Sequence, residues 1–261
     1  MKLFFFLCIV LLPAVNPVYS KIYDLNYTTD IPLALTGLAL LSGAYYGDSR
    51  LEPLKQSEID SAKTSDINRF DRNATDNWSG TSDRLSDYSL YSLIAGPVLL
   101  TAYDEPRNDI LTITVMYMEA LAIETGLTGI VKTAVKRKRP YVYNSKVPLN
   151  EKLNTDSKKS FYSGHTSTSF TSAVFLSTVY GDYFPASNSK WFVWTISLGM
   201  ASFTGWLRYN AGMHFPTDIL AGAAAGSLIG WLVPAIHRKN TFSIIPLVSR
   251  DSAALIFQYR I

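Results

Sequence analysis

Six apolar stretches alternate with polar connections along the chain, and each is longer than an ordinary β-strand. They cover residues 31–46, 88–103, 110–131, 168–183, 191–207 and 216–236. Apolar runs of this length favour helices over strands. The pattern therefore predicts an all-α fold, built as a bundle of six helices.

The two ends of the chain have patterns of their own. Met1 and Lys2 precede an apolar run over residues 3–12, two prolines and Ser20. This order is typical of a secretory signal peptide that ends near residue 20, and an uncleaved anchor is the alternative. Residues 241–248 and 252–261 are apolar segments around a short polar turn, which predicts a terminal β-hairpin. The predicted parts are a signal peptide at 1–20, a helical domain at 21–240 and a hairpin tail at 241–261.

A polar insert over residues 48–86 separates the first two apolar stretches. Its carboxylates Asp66, Asp71 and Asp76 are five residues apart and lack the alternation and the glycine of a calcium loop. The composition favours a solvated surface segment with a short helix near residues 57–63. A connection of this length can also cover a functional site.

The composition excludes several classes of protein. Of the 261 residues, 48% are hydrophobic and 17% are charged, which excludes a disordered chain and favours a single domain. A net charge of +3 is too small to favour nucleic-acid binding. The one cysteine, Cys8, lies in the predicted signal peptide, so the exported chain has no disulfide, thiolate zinc site or cysteine nucleophile. Export without disulfides suits a protein of the bacterial envelope.

The hydropathy of the chain bears on its relation to a membrane. Its mean hydropathy is only +0.09, and the third stretch carries Glu119 and Glu124 in its interior. Several stretches have about sixteen residues, the lower limit for a membrane span. If all six crossed, the basic cluster after the third stretch would face the cytosol, in conflict with an exported function. We therefore expect a soluble or membrane-peripheral bundle rather than an embedded one.

A basic segment closes the third apolar stretch. Lys132 and Arg139 are seven residues apart, which places them on nearly the same face of a helix, and Pro140 ends that helix. Two cations then converge on an exposed helix end, as an anion site requires. Taken alone, this segment also fits a solvated basic flank.

A second segment, Ser163-Gly164-His165, stands directly before the fourth stretch. A glycine turn that runs into a helix offers free backbone N–H groups and the positive end of the helix dipole to an anion. The same composition also suits an ordinary helix cap.

A third segment links the fifth stretch to the sixth and contains Arg208, His214 and Asp218. Pro216 suits the first position of a helix, which places Asp218 about one turn beyond His214. We expect the Asp218 carboxylate to accept the Nδ1 proton of His214 and to leave Nε2 unprotonated, as in a catalytic triad. The remaining histidine, His237, is interpreted most simply as a partner of the C-terminal dipole of the last helix.

Together the three segments resemble the three-part signature of the type 2 phosphatidic acid phosphatase and vanadium haloperoxidase superfamily. The residues that carry the resemblance are Lys132, Arg139, Pro140, Ser163, Gly164, His165, Arg208, His214 and Asp218. The similarity covers about residues 31–239 and implies the six-helix fold of that family. Tyr162 and Leu207 depart from the commonest pattern, which has proline and serine at these positions.

The resemblance implies a phosphatase that works without a metal ion or other cofactor. His214 would attack phosphorus and form a phosphohistidine, Asp218 would fix its tautomer, and His165 would protonate the leaving group. The groups that hold the phosphate oxygens would be Lys132, Arg139, Ser163, Gly164 and Arg208. Vanadate is expected to inhibit.

The resemblance leaves several functions open. The apolar helices and sixteen tyrosines favour a lipid phosphate, such as a polyprenyl diphosphate, phosphatidylglycerol phosphate or the phosphate of lipid A. A soluble periplasmic acid phosphatase is the alternative, in which Tyr141, Tyr143 and Lys146 could select the leaving group. A vanadium haloperoxidase is a further alternative. The non-enzyme alternative is an envelope scaffold that binds phosphate without turnover, but such a protein would need neither His165 nor His214. The chain is expected in the periplasm or the envelope membrane, with contact to a membrane surface and no nucleic-acid partner.

Overall fold

The computed structural model describes residues 22–239 in full and, in the tail, the backbone of 243–249 and 252–258. The signal peptide predicted at 1–20 lies outside the described residues. Nine α-helices occur in the described part of the chain. They are α1 (Tyr27–Ser49), α2 (Gln56–Asp60), α3 (Gly80–Ala95), α4 (Asp104–Asn108), α5 (Ile110–Val135), α6 (Leu149–Lys152), α7 (Gly164–Tyr183), α8 (Ser189–Asn210) and α9 (Pro216–His237).

The all-α prediction is confirmed, but the predicted count of six omits three helices. Helices α2, α4 and α6 have only four or five residues, too few for hydrophobic periodicity to detect. The other six follow the apolar stretches. Helix α3 starts eight residues before its stretch because the Ser79 hydroxyl caps it, accepting from Ser82 N at 3.2 Å. It ends at Ala95 and continues as a 3₁₀ turn over Gly96–Ala102.

Helix α7 lies at the centre of the bundle and packs against α3, α5, α8 and α9, while α1 packs on α5. Helices α1, α5 and α8 run in one direction and α3, α7 and α9 in the other. The C-terminal ends of the first three therefore meet the N-terminal ends of the others, and we call this the site end. The largest apolar cluster, which includes Met116, Phe175 and Val179, lies between α5, α7 and α9.

Helix α9 approaches the backbone of α7 very closely. A Cβ atom at Gly226 would lie 2.1 Å from the carbonyl oxygen of Ser167. Gly222 and Gly230 meet the α7 backbone one turn to either side. This contact fixes the N-terminal ends of α7 and α9 side by side, where two of the signature segments lie.

We expect Gly226→Ala to destabilise the fold by about 2 kcal/mol or more, because the methyl group would force two packed backbones apart. The matched control is Gly199→Ala in α8, where no atom lies within 4 Å of an added Cβ. This control should stabilise by about 0.5–1 kcal/mol through helix propensity. Thermal unfolding measures both changes, and equal shifts of the two variants would contradict the close packing.

Most residues of the insert at 48–86 are exposed, as its composition predicts, but a few are buried and anchor it at the site end. Asp71 is fully buried, and Ile67 and Ala74 pack with Phe215 in the loop before α9. Asn77 Nδ2 donates to the carbonyl of Tyr209 at 3.1 Å. The buried positions are spaced irregularly, so no hydrophobic period marks them. The insert therefore covers the loops at the site end, and its helix α2 overlaps the predicted short helix.

The tail contains two strands, β1 (Ser243–Ser249) and β2 (Ser252–Gln258). They pair antiparallel, with Ser243 opposite Gln258 and Ser249 opposite Ser252.

Two segments of the described chain are long and apolar enough to cross a membrane, judged by length and composition. They are Ile110–Tyr143, which contains α5, and Pro216–His237, which is α9.

Candidate active site

His214 lies in the loop between α8 and α9 and is 1% exposed. Its Nδ1 is 2.7 Å from the backbone carbonyl oxygen of Ser160. A carbonyl oxygen only accepts, so Nδ1 carries the proton of the neutral ring and Nε2 keeps its lone pair. Burial, together with the charges of nearby cations, holds the pKa of His214 well below its usual value. The ring is therefore a neutral, unprotonated nucleophile at Nε2.

The predicted bond between Asp218 and His214 is wrong. Oδ2 of Asp218 is 3.7 Å from Nδ1, too far for a hydrogen bond. The carboxylate instead accepts from the backbone N–H of Phe215 at 2.9 Å, as a capping side chain at the start of its own helix does. It also accepts from Ser160 Oγ at 2.5 Å. Asp218 thus holds Ser160, and the carbonyl of Ser160 holds the imidazole.

Arg139 contacts the unprotonated side of His214. Its Nη1 lies 3.3 Å from Nε2 of His214 and donates to the carbonyl of Met213 at 3.2 Å. Nε donates to the backbone carbonyl of Asp156 and Nη2 donates to its Oδ1, both at 2.9 Å. Burial acts to raise the pKa of Asp156, but the charges of Arg139 and Lys132 lower it to about 2. Asp156 is therefore anionic and fixes the guanidinium beside the nucleophile.

The expectation that Lys132 and Arg139 share one helix face is wrong. Helix α5 ends at Val135, and Lys136 adopts a left-handed conformation with φ of 51°. Such a residue ends a helix by turning the chain away from its axis. The following residues are not helical, yet Arg139 still lies near enough to Lys132 for its charge to lower the pKa of that lysine.

Lys132 lies against the start of α7. A Cβ atom at Gly164 would be 3.7 Å from its Nζ. Burial, then the neighbouring charges of Arg139 and Arg208, lower the pKa of Lys132 to about 7, although Asp156 and Asp218 oppose the shift. Among the described residues, no carboxylate lies within ion-pair distance of this ammonium group. A bound anion would find it without a competing partner.

Arg208 approaches the cavity from the last turn of α8 and is almost fully buried. Its Nη1 donates to Ser86 Oγ at 3.0 Å and pairs with Asp83, both on α3. Its Nε has no hydrogen-bond partner in the described part of the chain. The charges of Lys132, Arg139 and Arg208 all act to lower the pKa of His214. Arg139 also contacts the ring directly through its Nη1.

His165 lies in the first turn of α7, with 27% of its side chain exposed. Its Nε2 is 2.7 Å from Oδ1 of Asp87 on α3. Burial lowers the pKa of His165 to about 4, while the bond to Asp87 opposes the shift and the charge of Arg208 adds to it. The free protein therefore holds a neutral His165 near neutral pH. A bound phosphate would raise this pKa, because an opposite charge favours the protonated ring.

Ser163 and Gly164 form the start of α7 as the sequence predicts. Ser163 is fully buried and is the N-cap of the helix, since its Oγ accepts from the backbone N–H of Thr166 at 3.4 Å. The same Oγ accepts from Thr166 Oγ1 at 2.9 Å. Its backbone N–H donates to the carbonyl of Asp218 at 3.1 Å. Gly164 places backbone N–H groups of the first turn beside Lys132. The segment therefore joins α9 to the anion cradle, with the serine serving first as a cap.

Five charged residues at the site are ones that the sequence interpretation missed: Asp71, Asp83, Asp87, Arg137 and Asp156. Arg137 donates to Asp218 at 2.5 Å and to Asp71 at 2.8 Å, and it lies over the ring of Phe215. Asp71 accepts in turn from Thr217 N at 3.0 Å. Asp87 has one usable signal, since it lies four residues after Asp83, which places both carboxylates on one face of α3. No such signal marks Asp71 or Arg137.

His237 lies at the opposite end of α9 from this site. It is buried and contacts Asp30 and Glu119, at 3.0 Å and 3.3 Å from its Nε2. Its Nδ1 also lies 2.8 Å from the carbonyl oxygen of Val233, so it contacts the C-terminal end of α9 as expected, and the two carboxylates are further partners.

Two histidines, three cations and the start of α7 lie together at the site end, an arrangement that fits the phosphoryl-transfer site that the signature implies. The PAP2 superfamily matches residues 113–242, a range that contains all three signature segments. The chain belongs to the PAP2 superfamily.

Three known proteins are similar to parts of this chain. The lipid A 1-phosphatase of Porphyromonas gingivalis is 37% identical over 100 residues, which are 37% of this chain and 21% of that protein. The chain thus matches about a fifth of that relative's length. A transmembrane PAP2 type phosphatidylglycerolphosphate phosphatase from Bacillus subtilis aligns with a TM-score of 0.47 and 19% identity, over 81% of this chain and 96% of its own. LpxE of Aquifex aeolicus aligns with a TM-score of 0.43 and 24% identity, over 62% and 90% of the two chains.

Proposed function

We propose that the chain is a metal-independent phosphatase that acts on a lipid phosphate of the bacterial envelope through a phosphohistidine at His214. The observation that carries the proposal is the unprotonated Nε2 of His214, fixed by Ser160 from behind and 3.3 Å from Arg139 Nη1 in front. A static phosphate-binding protein needs cations and amides, but it needs no buried nucleophile held in one tautomer.

The positions of the two histidines and the three cations support the following mechanism. Nε2 attacks phosphorus while the bond to the leaving oxygen breaks, and His165 donates its proton to that oxygen. Lys132, Arg139 and Arg208 hold the phosphoryl oxygens, so charge that a divalent ion often neutralises is neutralised by side chains. Neutral His165 then takes a proton from water, which attacks the phosphohistidine and releases phosphate. The Asp218 carboxylate, 3.7 Å from Nδ1, stabilises the positive ring of the intermediate.

The surface near the site favours a lipid as the carrier of the phosphate. Large apolar side chains are exposed at the site end, among them Phe203 and Trp206 on α8, and Tyr45 and Tyr46 on α1. Tyrosine and tryptophan are enriched where proteins meet a membrane interface, so these exposed aromatic side chains fit contact with a membrane surface. The partial match to a lipid A 1-phosphatase points the same way. We propose contact with an envelope membrane, after export, as the setting.

The substrate class is tested with a panel. The purified chain is assayed for phosphate release from lipid A, phosphatidylglycerol phosphate and polyprenyl diphosphate in mixed micelles, and from soluble phosphomonoesters. We expect kcat/KM to be largest for one of the lipids, with release at 25 °C persisting in EDTA and inhibited by vanadate. A preference for soluble esters would favour the acid phosphatase instead. Bromide oxidation with peroxide and vanadate would favour the haloperoxidase. Carbonate extraction shows whether the chain leaves the membrane fraction.

The pKa of Lys132 predicts an alkaline limit on activity. Its ammonium must be charged to hold the phosphate, and its pKa is lowered to about 7, so kcat/KM should fall as pH rises through about 7. Lys132→Arg keeps its charge at higher pH, and its profile should extend upward by at least about one pH unit. Lys138→Arg is the matched control and should leave the limit unchanged. An identical limit in Lys132→Arg would contradict the assignment.

The role of His165 predicts a dependence on the leaving group. An aryl phosphate needs little help from a proton, whereas an alkyl phosphate leaves as a strong base. His165→Ala should therefore lower kcat/KM by roughly 10²–10⁴-fold for alkyl esters and far less for 4-nitrophenyl phosphate. The comparison uses steady-state kinetics on both substrates with one preparation. An equal loss on both would show that His165 does not donate the proton.

A further inference from the structure

A second cluster of titratable side chains lies at the end of the bundle remote from His214. Asp30 comes from the first turn of α1, Glu119 from the first half of α5 and His237 from the last turn of α9. One carboxylate oxygen of each acid and a ring nitrogen of the histidine all lie within 4.8 Å of one another. Three helices thus contribute one donor each to a single point.

The hydrogen bonds of His237 leave its Nε2 facing two carboxylates. Nδ1 lies 2.8 Å from the carbonyl oxygen of Val233, so Nδ1 carries a proton and donates it there. Nε2 is 3.0 Å from Asp30 Oδ1 and 3.3 Å from Glu119 Oε2. A lone pair at Nε2 would repel both oxygens. The position therefore holds either a second proton or a cation.

Glu119 distinguishes these two occupants. It is 6% exposed, and neither of its carboxylate oxygens has a hydrogen-bond partner in the described part of the chain. One proton on Nε2 points to one acceptor, and Asp30 is the nearer. Glu119 would then remain buried with no donor, which is costly for a carboxylate. A metal ion would bond to all three groups at once.

We propose that Asp30, Glu119 and His237 bind a zinc ion that ties α1, α5 and α9 together, away from the phosphatase site. Zinc–ligand bonds of 2.0–2.2 Å in a tetrahedron place donors about 3.3–3.6 Å apart, close to the separations seen from Nε2. Imidazole with carboxylates suits zinc, whereas magnesium and calcium prefer shells of oxygen alone. A water molecule would complete the four ligands.

The groups behind the three donors have the arrangement of a supported metal site. A zinc-bound imidazole usually donates its other N–H to a carbonyl or carboxylate, as His237 does to Val233. Asp30 Oδ2 accepts from the backbone N–H of Asn26, which leaves Oδ1 directed at His237. The ion's role here is structural, since the phosphatase chemistry is proposed to run on side-chain cations alone.

Zinc binding to the full chain tests the proposal. Protein purified without a histidine tag is stripped with EDTA, exchanged into chelator-free buffer and titrated with ZnCl₂ by calorimetry. We expect about one zinc per chain, a rise in the thermal midpoint of several degrees and no comparable effect of MgCl₂. Cobalt(II) should give the visible absorption of a tetrahedral site. Absence of zinc binding by the stripped chain would overturn the proposal.

Variants then locate the ion. Asp30→Asn and Glu119→Gln should weaken zinc binding by at least about 10- to 100-fold, the loss that removal of even an outer-shell partner causes. Glu105→Gln removes an exposed carboxylate at the same end of the bundle and should bind normally. If Glu119→Gln fails to fold, Asp30→Asn decides, because its side chain is partly exposed. Normal zinc binding by Asp30→Asn would contradict the proposal.

The phosphatase site holds the other two histidines and needs its own control. The double variant His165→Ala/His214→Ala should still bind zinc with unchanged affinity. Loss of zinc in this variant would place the ion at the phosphatase site and overturn the proposal. These experiments measure zinc binding and the thermal midpoint of unfolding, not phosphate release. A failure of the zinc proposal can therefore be distinguished from a failure of the proposed phosphatase function.

Discussion

Replacing His214 with alanine should lower kcat for phosphate release by roughly 10⁴-fold or more, the scale seen when a covalent nucleophile is removed. The three cations would still hold the phosphate, but no group at the position of Nε2 could form the intermediate. Steady-state kinetics with an aryl phosphate measures the loss. KM should change little, since the binding cations remain.

Two controls separate a lost nucleophile from a damaged fold. The variant should keep cooperative thermal unfolding, and added imidazole should restore part of the activity by entering the cavity. Phosphate release within tenfold of the unaltered chain would show that His214 is not the nucleophile.

Replacing Arg139 with lysine should lower kcat/KM by about 10²–10³-fold, the loss expected for one donor to a developing negative charge. The guanidinium serves two partners at once, with Nε and Nη2 on Asp156 and Nη1 beside His214. A lysine ammonium is a point charge and cannot span both. The charge is retained, so the measurement isolates geometry from electrostatics.

Lys138→Ala is the matched control for Arg139. It removes a neighbouring cation whose Nζ donates to the carbonyl of Glu58 at 2.7 Å, outside the cavity. Its kcat/KM should stay within about twofold of the unaltered chain, as expected for a surface group. Equal losses in Arg139→Lys and Lys138→Ala would contradict the placement of Arg139 beside the nucleophile.

The long helices could be predicted because apolar length is a strong signal. Each of the six stretches lies in one long helix, or in a helix and its 3₁₀ continuation in the case of α3. Helix ends were less accessible to sequence reasoning. Lys136 adopts a left-handed conformation but is neither glycine nor asparagine, the residues that usually mark such a helix end. The sequence therefore predicts that α5 continues to Pro140.

The site residues could be predicted where their side-chain chemistry is specific. The two histidines and three cations occur in three short segments, and the structure brings them together. The partner of His214 could not be predicted, because it is a backbone carbonyl, which any residue at position 160 would supply. Asp218 has the expected position, but its side chain satisfies the start of its own helix first.

Long-range partners escaped the sequence for a physical reason. Asp71 and Arg137 are 66 residues apart, and the insert between α1 and α3 has no periodic pattern that predicts burial. Only the packed fold shows that this carboxylate is fully buried beside Arg137 and Thr217. An irregular polar segment can therefore be exposed over most of its length and still contain buried residues that no sequence period marks.

The phosphohistidine itself can be trapped and located. In His165→Ala, 4-nitrophenyl phosphate should phosphorylate the protein quickly, while hydrolysis of the intermediate is slow because no base activates water. Rapid quenching at alkaline pH followed by peptide mass spectrometry should find the phosphoryl group on His214 in step with a burst of nitrophenol. A nitrophenol burst with His214 unmodified, or with the phosphoryl group on another residue, would contradict the account.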